Sequence, residues 1–224
     1  MNEVKSKVAL CLSGQFRTFD ECFPFIQENL IEYNQDNFQI DLFGYFTSDE
    51  EIDLSPYPFT KVVIGEDSPL PNLNYHRNKY SISAPVVENV YHQLFKMKKS
   101  NELRKSYEAE HNIEYDYVAR LRSDFKYLTE VDFSILRPDT VFILYEHDHF
   151  GLNDRFAIGS RNVMDIYLNR FDFWIEPHPE IPNYTTHVES NLKILMEINN
   201  INIDRIPFSY CLSRADGDAD IIIA

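Results

Sequence analysis

Tyr115-Asp116-Tyr117-Val118-Ala119-Arg120-Leu121-Arg122-Ser123-Asp124-Phe125 is the stretch whose reading decides the fold. Its Tyr, Val and Leu content predicts a β-strand. Side chains on a strand alternate between faces, so Arg120, Arg122 and Asp124 project one way, and Tyr117, Ala119 and Leu121 the other. Two guanidinium groups and a carboxylate are costly to place at the end of an otherwise apolar strand. In open α/β sheets, ligands sit just beyond the carboxyl ends of the strands. Arginine forks match phosphate oxygens, and a carboxylate can hold a divalent cation against them. One reading is therefore a diphosphate site, with or without a metal. The other is an edge strand whose charged face meets water, with Arg122 and Asp124 simply paired.

The chain before this stretch alternates in the manner of a wound sheet. Lys7 to Leu12 predicts a buried strand that ends at Ser13-Gly14-Gln15-Phe16-Arg17-Thr18. A parallel sheet puts that turn at the same edge as Asp124. There its backbone N–H groups, Gln15 and Arg17 can hold a base, ribose or phosphate; otherwise it is an ordinary strand-to-helix turn with a surface Arg. Asp20 is placed to cap a helix over Glu21 to Glu32, with Phe23, Ile26, Leu30 and Ile31 inward. Strands are expected at Phe38 to Phe46 and Thr60 to Ile64. A loop runs from Glu66 to Ser83, and a long helix from Pro85 to His111 with Val86, Val90, Leu94 and Met97 inward. The charged run from Lys96 to Glu110 reads as a solvated face. The order predicts an α/β fold with a Rossmann-like, mainly parallel central sheet and helices on both faces.

The second half is less regular. One or two strands are expected within Val131 to Ile135 and Asp139 to Tyr145, an extended stretch over Arg155 to Gly159, and a last strand over Ile201 to Phe208 before a polar-then-apolar tail. Helices are expected over Val163 to Phe173 and Val188 to Asn199. One domain over residues 1–224 fits best, with a nucleotide half up to about residue 126 and an acceptor half after it.

The totals exclude several classes. A formal net charge of -15 argues against nucleic acid, which needs a basic face, and against an anionic membrane surface. It leaves room for an anionic substrate, because a local Arg cluster reverses the field inside a cleft. With only 6 Gly, a glycine-rich phosphate loop is not the main device. Cys11, Cys22 and Cys211 form no C-x-x-C and predict neither a disulfide framework nor a zinc site. No segment approaches the roughly 20 apolar residues of a membrane span, and the start shows no signal-peptide pattern. The expectation is a soluble, cytoplasmic protein with no integral membrane segment.

Three further groups carry chemistry. Asp154, in Asn153-Asp154-Arg155-Phe156-Ala157-Ile158-Gly159-Ser160, follows a Gly-containing loop, so it is either a carboxylate at a cleft rim that orients or deprotonates a hydroxyl, or a turn-forming Asx residue. Glu189, beside His187, is a catalytic carboxylate or an answer to a helix dipole. His147 and His149 share a face, but with no third ligand at convincing spacing they read as a solvated loop.

The segments Val8 to Phe19, Tyr115 to Asp124 and Asn153 to Ser160, in this order, resemble the GT-A-like glycosyltransferases of surface-polysaccharide and lipopolysaccharide synthesis found in bacteria and large DNA viruses. Glu189 followed by an amphipathic helix resembles that group too. The resemblance spans Val8 to about Arg214. It implies a nucleotide-sugar donor and transfer of a sugar to a hydroxyl of a glycan or lipid-linked acceptor. Asp124 stands where that family carries its metal-binding aspartate, for manganese or magnesium. Position 122 is Arg where the D-x-D pattern has Asp, so Arg120 and Arg122 are candidates to replace the cation. Ser13, Gly14, Gln15 and Arg17 would hold the nucleotide. Asp154 is the first choice for acceptor positioning or base and Glu189 the second. The short acceptor half implies acceptor contacts that are either shallow or shared with a partner, a homodimer being one candidate. Two rival readings are a non-catalytic binding module of the same fold and a metal-dependent phosphohydrolase using Asp124, Asp148 and Asp154.

Overall fold

The computed structural model describes residues 5–74, 76, 84–214 and 217–223. Strand β1 (Ser6–Gln15) is buried from Val8 to Leu12. Val8, Leu10 and Leu12 join one core cluster while Ala9 and Cys11 join the other. A strand apolar on both faces belongs inside a sheet with cover on both sides, and β1 sits there. It pairs in parallel with β2 (Phe38–Thr47) on one side and β4 (Tyr117–Arg122) on the other. Strand β3 (Phe59–Ile64) extends the parallel half.

Beyond β4 the sheet changes direction. Strand β7 (Ala157–Ser160) pairs antiparallel with both β4 and β6 (Thr140–Ile143), and β8 (Asn202–Arg205) closes the edge parallel to β6. The seven-stranded order is β3-β2-β1-β4-β7-β6-β8, a mixed, mostly parallel α/β sheet that draws strands from both halves of the chain. A second, antiparallel sheet has the order β10-β9-β5, from β5 (Phe125–Tyr127), β9 (Tyr210–Arg214) and β10 (Gly217–Ile222).

Helix α1 (Phe19–Ile26) continues as a π-helical turn, Gln27–Glu32, and packs Phe19, Ile26 and Leu30 into the first cluster. It starts before the expected Glu21, so Asp20 lies inside it and does not cap it; Thr18 holds the capping position. The opposite face is covered by α2 (Ala84–His111), α3 (Arg161–Leu168), α4 (Arg170–Ile175) and α5 (Val188–Ile198). The buried positions of α2 are Val87, Tyr91, Leu94 and Met97, while Val86 is exposed; the period was as expected but its start was one residue out. All three cysteines are free and buried. No described helix is long and apolar enough to cross a membrane.

Three expectations are corrected. Val131 to Ile135 holds a 3-10 turn, Phe133–Ile135, whose cap Asp132 accepts from the Ser134 amide. The last expected strand stops at Arg205, two residues before Pro207, which has no N–H to give a ladder. The charged run of α2 is a solvated face on one side only: Glu102 and Glu110 are exposed, but Lys96, Ser100, Asn101, Arg104 and Glu108 are all buried. Their spacing of about four residues makes a polar stripe that packs inward.

Candidate active site at the carboxyl edge of the sheet

The register aligns Ser13 with Arg122 and Gln15 with Thr47, so three parallel strands end at one edge. The turn after β1 is fastened there to the turn after β4. The Ser123 hydroxyl donates to the Gln15 carbonyl at 2.7 Å, and the Ser123 amide to the Ser13 carbonyl at 3.3 Å. Gly14 has φ +153°, and a Cβ on it would collide with the Ser123 hydroxyl. Both the backbone angle and the space demand glycine.

The expected strand over residues 115–125 breaks at Ser123–Asp124, where the chain turns and passes into the second sheet as β5. Arg122 and Asp124 meet across that turn. Nε donates to Oδ1 and Nη2 to Oδ2, both at 2.7 Å. Burial alone would raise the Asp124 carboxyl, but the Arg122 fork outweighs it and holds the group below its ordinary range. Arg120 is 1% exposed. One terminal nitrogen donates to the Arg155 carbonyl, while Nε has no partner. Burial pushes Arg120 down to about 10, so it stays cationic at neutral pH.

Ser13, Gly14, Gln15, Arg17, Arg120, Arg122 and Asp124 all line one open cleft of about 420 Å³. Helix α2 supplies a wall that sequence reading missed, with His92, Gln93 and Lys96, and Arg214 enters from β9. Lys96 is buried, its Nζ donating to Thr47 Oγ1 at 2.8 Å and pairing with Asp67 Oδ1 at 2.8 Å. The lining carries five cationic side chains, Arg17, Lys96, Arg120, Arg122 and Arg214, against two carboxylates, Asp67 and Asp124.

Asp154 and Glu189 are not among the lining residues. Asp154 is buried behind the cleft, where Oδ2 accepts from Arg170 Nη2 and from Gln93 Nε2, each at 2.7 Å. Burial raises its carboxyl, but Arg170 and Arg120 outweigh that and hold it low, which makes it a poor base. It holds Gln93, a cleft residue, in place. Glu189 differs. In the first turn of α5, its carboxyl is pushed up by burial and by the Asp154 charge. His187 lies 3.6 Å away. Tyr167, whose hydroxyl is buried without a partner, feels the charges of Arg170, Arg120, Asp154 and Glu189 together.

A divalent cation in the cleft would meet carboxylates that already hold cations. Both Asp124 oxygens are taken by Arg122, and Asp67 Oδ1 is shared by Lys96 and His92. Among the described residues, no three His, Cys, Asp or Glu side chains cluster closely enough to hold a metal. An ion that bridges a diphosphate takes one or two protein carboxylates and fills its other positions with phosphate oxygens and water, so at this cleft it would have to compete with Arg122 for Asp124. The carboxylates of the phosphohydrolase reading each hold a different arginine: Asp124 with Arg122, Asp148 with Arg205 and Asp154 with Arg170.

The chain belongs to a protein family described as a domain of unknown function, DUF7796, which it matches over residues 3–216. No curated protein matches it.

Proposed function

We propose that this chain is a glycosyltransferase that moves a sugar from a nucleoside diphosphate donor to a hydroxyl of a glycan or lipid-linked acceptor. The observation that carries the reading is Arg120, buried at the wall of a basic cleft with Nε unpartnered, in a chain of net charge -15. A buried cation short of partners is costly unless an anion completes it. The cleft lies where wound α/β sheets bind ligands, and about 420 Å³ suits a nucleotide. The GT-A arrangement, a cytoplasmic site of action and a place in surface-polysaccharide synthesis are part of the same proposal.

In this reaction the acceptor oxygen bonds to the anomeric carbon as the bond from that carbon to the diphosphate oxygen breaks. The electron pair leaves on the diphosphate, where Arg120 and Arg122 face the developing charge. The turn from Ser13 to Arg17 holds the nucleotide. Glu189, which burial has made the stronger base of the two candidate carboxylates, lies outside the cleft lining, so for it to take the acceptor proton in an inverting course the acceptor must enter from the Glu189 side. Asp154 acts as a positioning residue through Gln93.

Titration calorimetry of a panel of nucleoside diphosphates, followed by mass spectrometry of their sugar derivatives incubated with the protein, tests the reading. One nucleoside class is expected to bind, and Arg122→Ala and Asp124→Ala to lose it. If both variants bind every nucleoside diphosphate as the parent does, the site assignment is wrong. Sugar release above background separates a transferase from a non-catalytic binding module.

A further inference from the structure

We infer that the cleft holds its diphosphate with protein cations alone, Lys96, Arg17 and Arg214 supplying the charge that a divalent ion supplies elsewhere. The inference rests on the diphosphate reading above and deepens it.

It begins from the carboxylates. A metal at Asp124 would have to displace the Arg122 fork from both oxygens. That would leave a largely buried guanidinium without its acid, which is strongly unfavourable. The incoming ion would also face the other cations of the lining. Asp67, the second lining acid, holds Lys96 through Oδ1, which also lies 3.4 Å from His92.

The cations, by contrast, have capacity to spare. An ammonium group has three donors. Lys96 Nζ gives one to Thr47 and one to Asp67, which leaves a third beside the cleft that Lys96 lines. Thr47 ends β2, so Lys96 is held at the edge where β1 and β4 also end. Arg17 and Arg214 are exposed and come from different elements, the turn after β1 and the end of β9. Among the described residues neither has a carboxylate partner. Long guanidinium side chains on separate elements can close on an anion and grip its oxygens in pairs. Arg120, with its Nε unpartnered, adds a fixed donor at the wall.

The experiment is titration calorimetry of the full chain with inorganic pyrophosphate and with a panel of nucleoside diphosphates, each in EDTA and in manganese. Pyrophosphate is expected to bind in EDTA within about twofold of its affinity in manganese. Arg17→Gln and Arg214→Gln are exposed changes that leave folding intact, and each is expected to weaken pyrophosphate about tenfold, the loss of a charge-assisted contact. Lys96→Met, checked for folding by its thermal transition, is expected to weaken it more. Binding that requires manganese would overturn the inference while leaving the nucleotide reading standing. Pyrophosphate binding in EDTA with no nucleoside diphosphate binding better would support the inference and sink the nucleotide reading. No binding in either medium, or no change in any of the three variants, would overturn it.

Discussion

The two ends of helix α2 bury cations in opposite ways. Near its C-terminal end, beside the amino end of β4, Arg104 is wholly buried and fully answered. Nε donates to Asn101 at 2.9 Å and Nη1 to Glu108 at 2.7 Å, while Nη2 pairs with Asp165. Glu108 in turn accepts from the Tyr115 amide at 3.1 Å and lies 3.2 Å from Arg161. Near its N-terminal end, at the carboxyl edge of the same sheet, the cations outnumber the acids, and Arg120 has no carboxylate in contact. Both arginines are equally hidden from water. The lesson is that burial of a guanidinium says little; whether its charge is answered from within tells a structural group from one poised for an outside anion.

That contrast can be broken by experiment. Arg104→Met takes the buried partner from Glu108 and Asp165, which keep only Arg161 and Lys105, and is expected to lower unfolding free energy by about 3 kcal/mol in urea titration. Arg120→Met removes a charge that no carboxylate contacts directly, although Asp154 and Asp124 feel it at longer range. It is expected to lower unfolding free energy clearly less than Arg104→Met does, while pyrophosphate affinity falls about tenfold or more. Equal destabilisation by the two would erase the distinction. The acid limb of stability sharpens it. Asp154 is held below its ordinary 3.8, so its contribution is present above that value and is lost as pH falls through the lower folded value. Urea midpoints measured against pH are expected to drop in that window, and Asp154→Asn to be less stable throughout with a flatter acid limb. Glu189 runs the other way: its raised carboxyl favours the folded state at low pH, and that gain is lost as pH rises from 4.5 through the folded value. Glu189→Gln is therefore expected to raise stability at neutral pH while abolishing any transfer.

Smaller effects bound the comparison. Gly14→Ala is expected to cost about 1–3 kcal/mol through crowding against Ser123. Ser123→Ala in the same chain should recover part of that, since the hydroxyl is the nearest obstacle. At the bottom of the scale, Lys193→Ala breaks an exposed pair with Glu197 at 3.9 Å and is expected to shift stability by less than about 0.5 kcal/mol.

Much of the parallel half was legible, because a central strand needs a continuous apolar run and Val8 to Leu12 and Leu42 to Phe46 provide one. The alternation that sets Arg120 and Arg122 on one face was legible too. Asp124 reached the same cleft by a different route, through a turn that brings i and i+2 together. What stayed hidden was tertiary. A run as charged as Lys96 to Glu110 reads as wet in one dimension; only the partners on α3, Asp165 and Arg161, and the Tyr115 amide ahead of β4 show that one stripe of it, Arg104 and Glu108, is consumed inside. The recurrence of Lys96, Ser100, Arg104 and Glu108 every four residues was the available signal. His92, Gln93 and Arg214 carried no local cue, since a polar residue on a helix or at a strand end faces water by default. Asp154 beside an apolar strand looked like a base at a rim; the buried Arg170 that turns it into a support lies 16 residues further along the chain.

The bond from Ser123 to Gln15, with Gly14 seated beneath it, joins the ends of two neighbouring strands into one rigid plate. A ligand then meets a floor already assembled and spends little of its attraction on ordering backbone. Adjustable recognition is left to the exposed rim, to Arg17 and Arg214. Relatives that accept different anions, and any attempt to retrain this protein toward a new one, would change the rim and leave the plate alone.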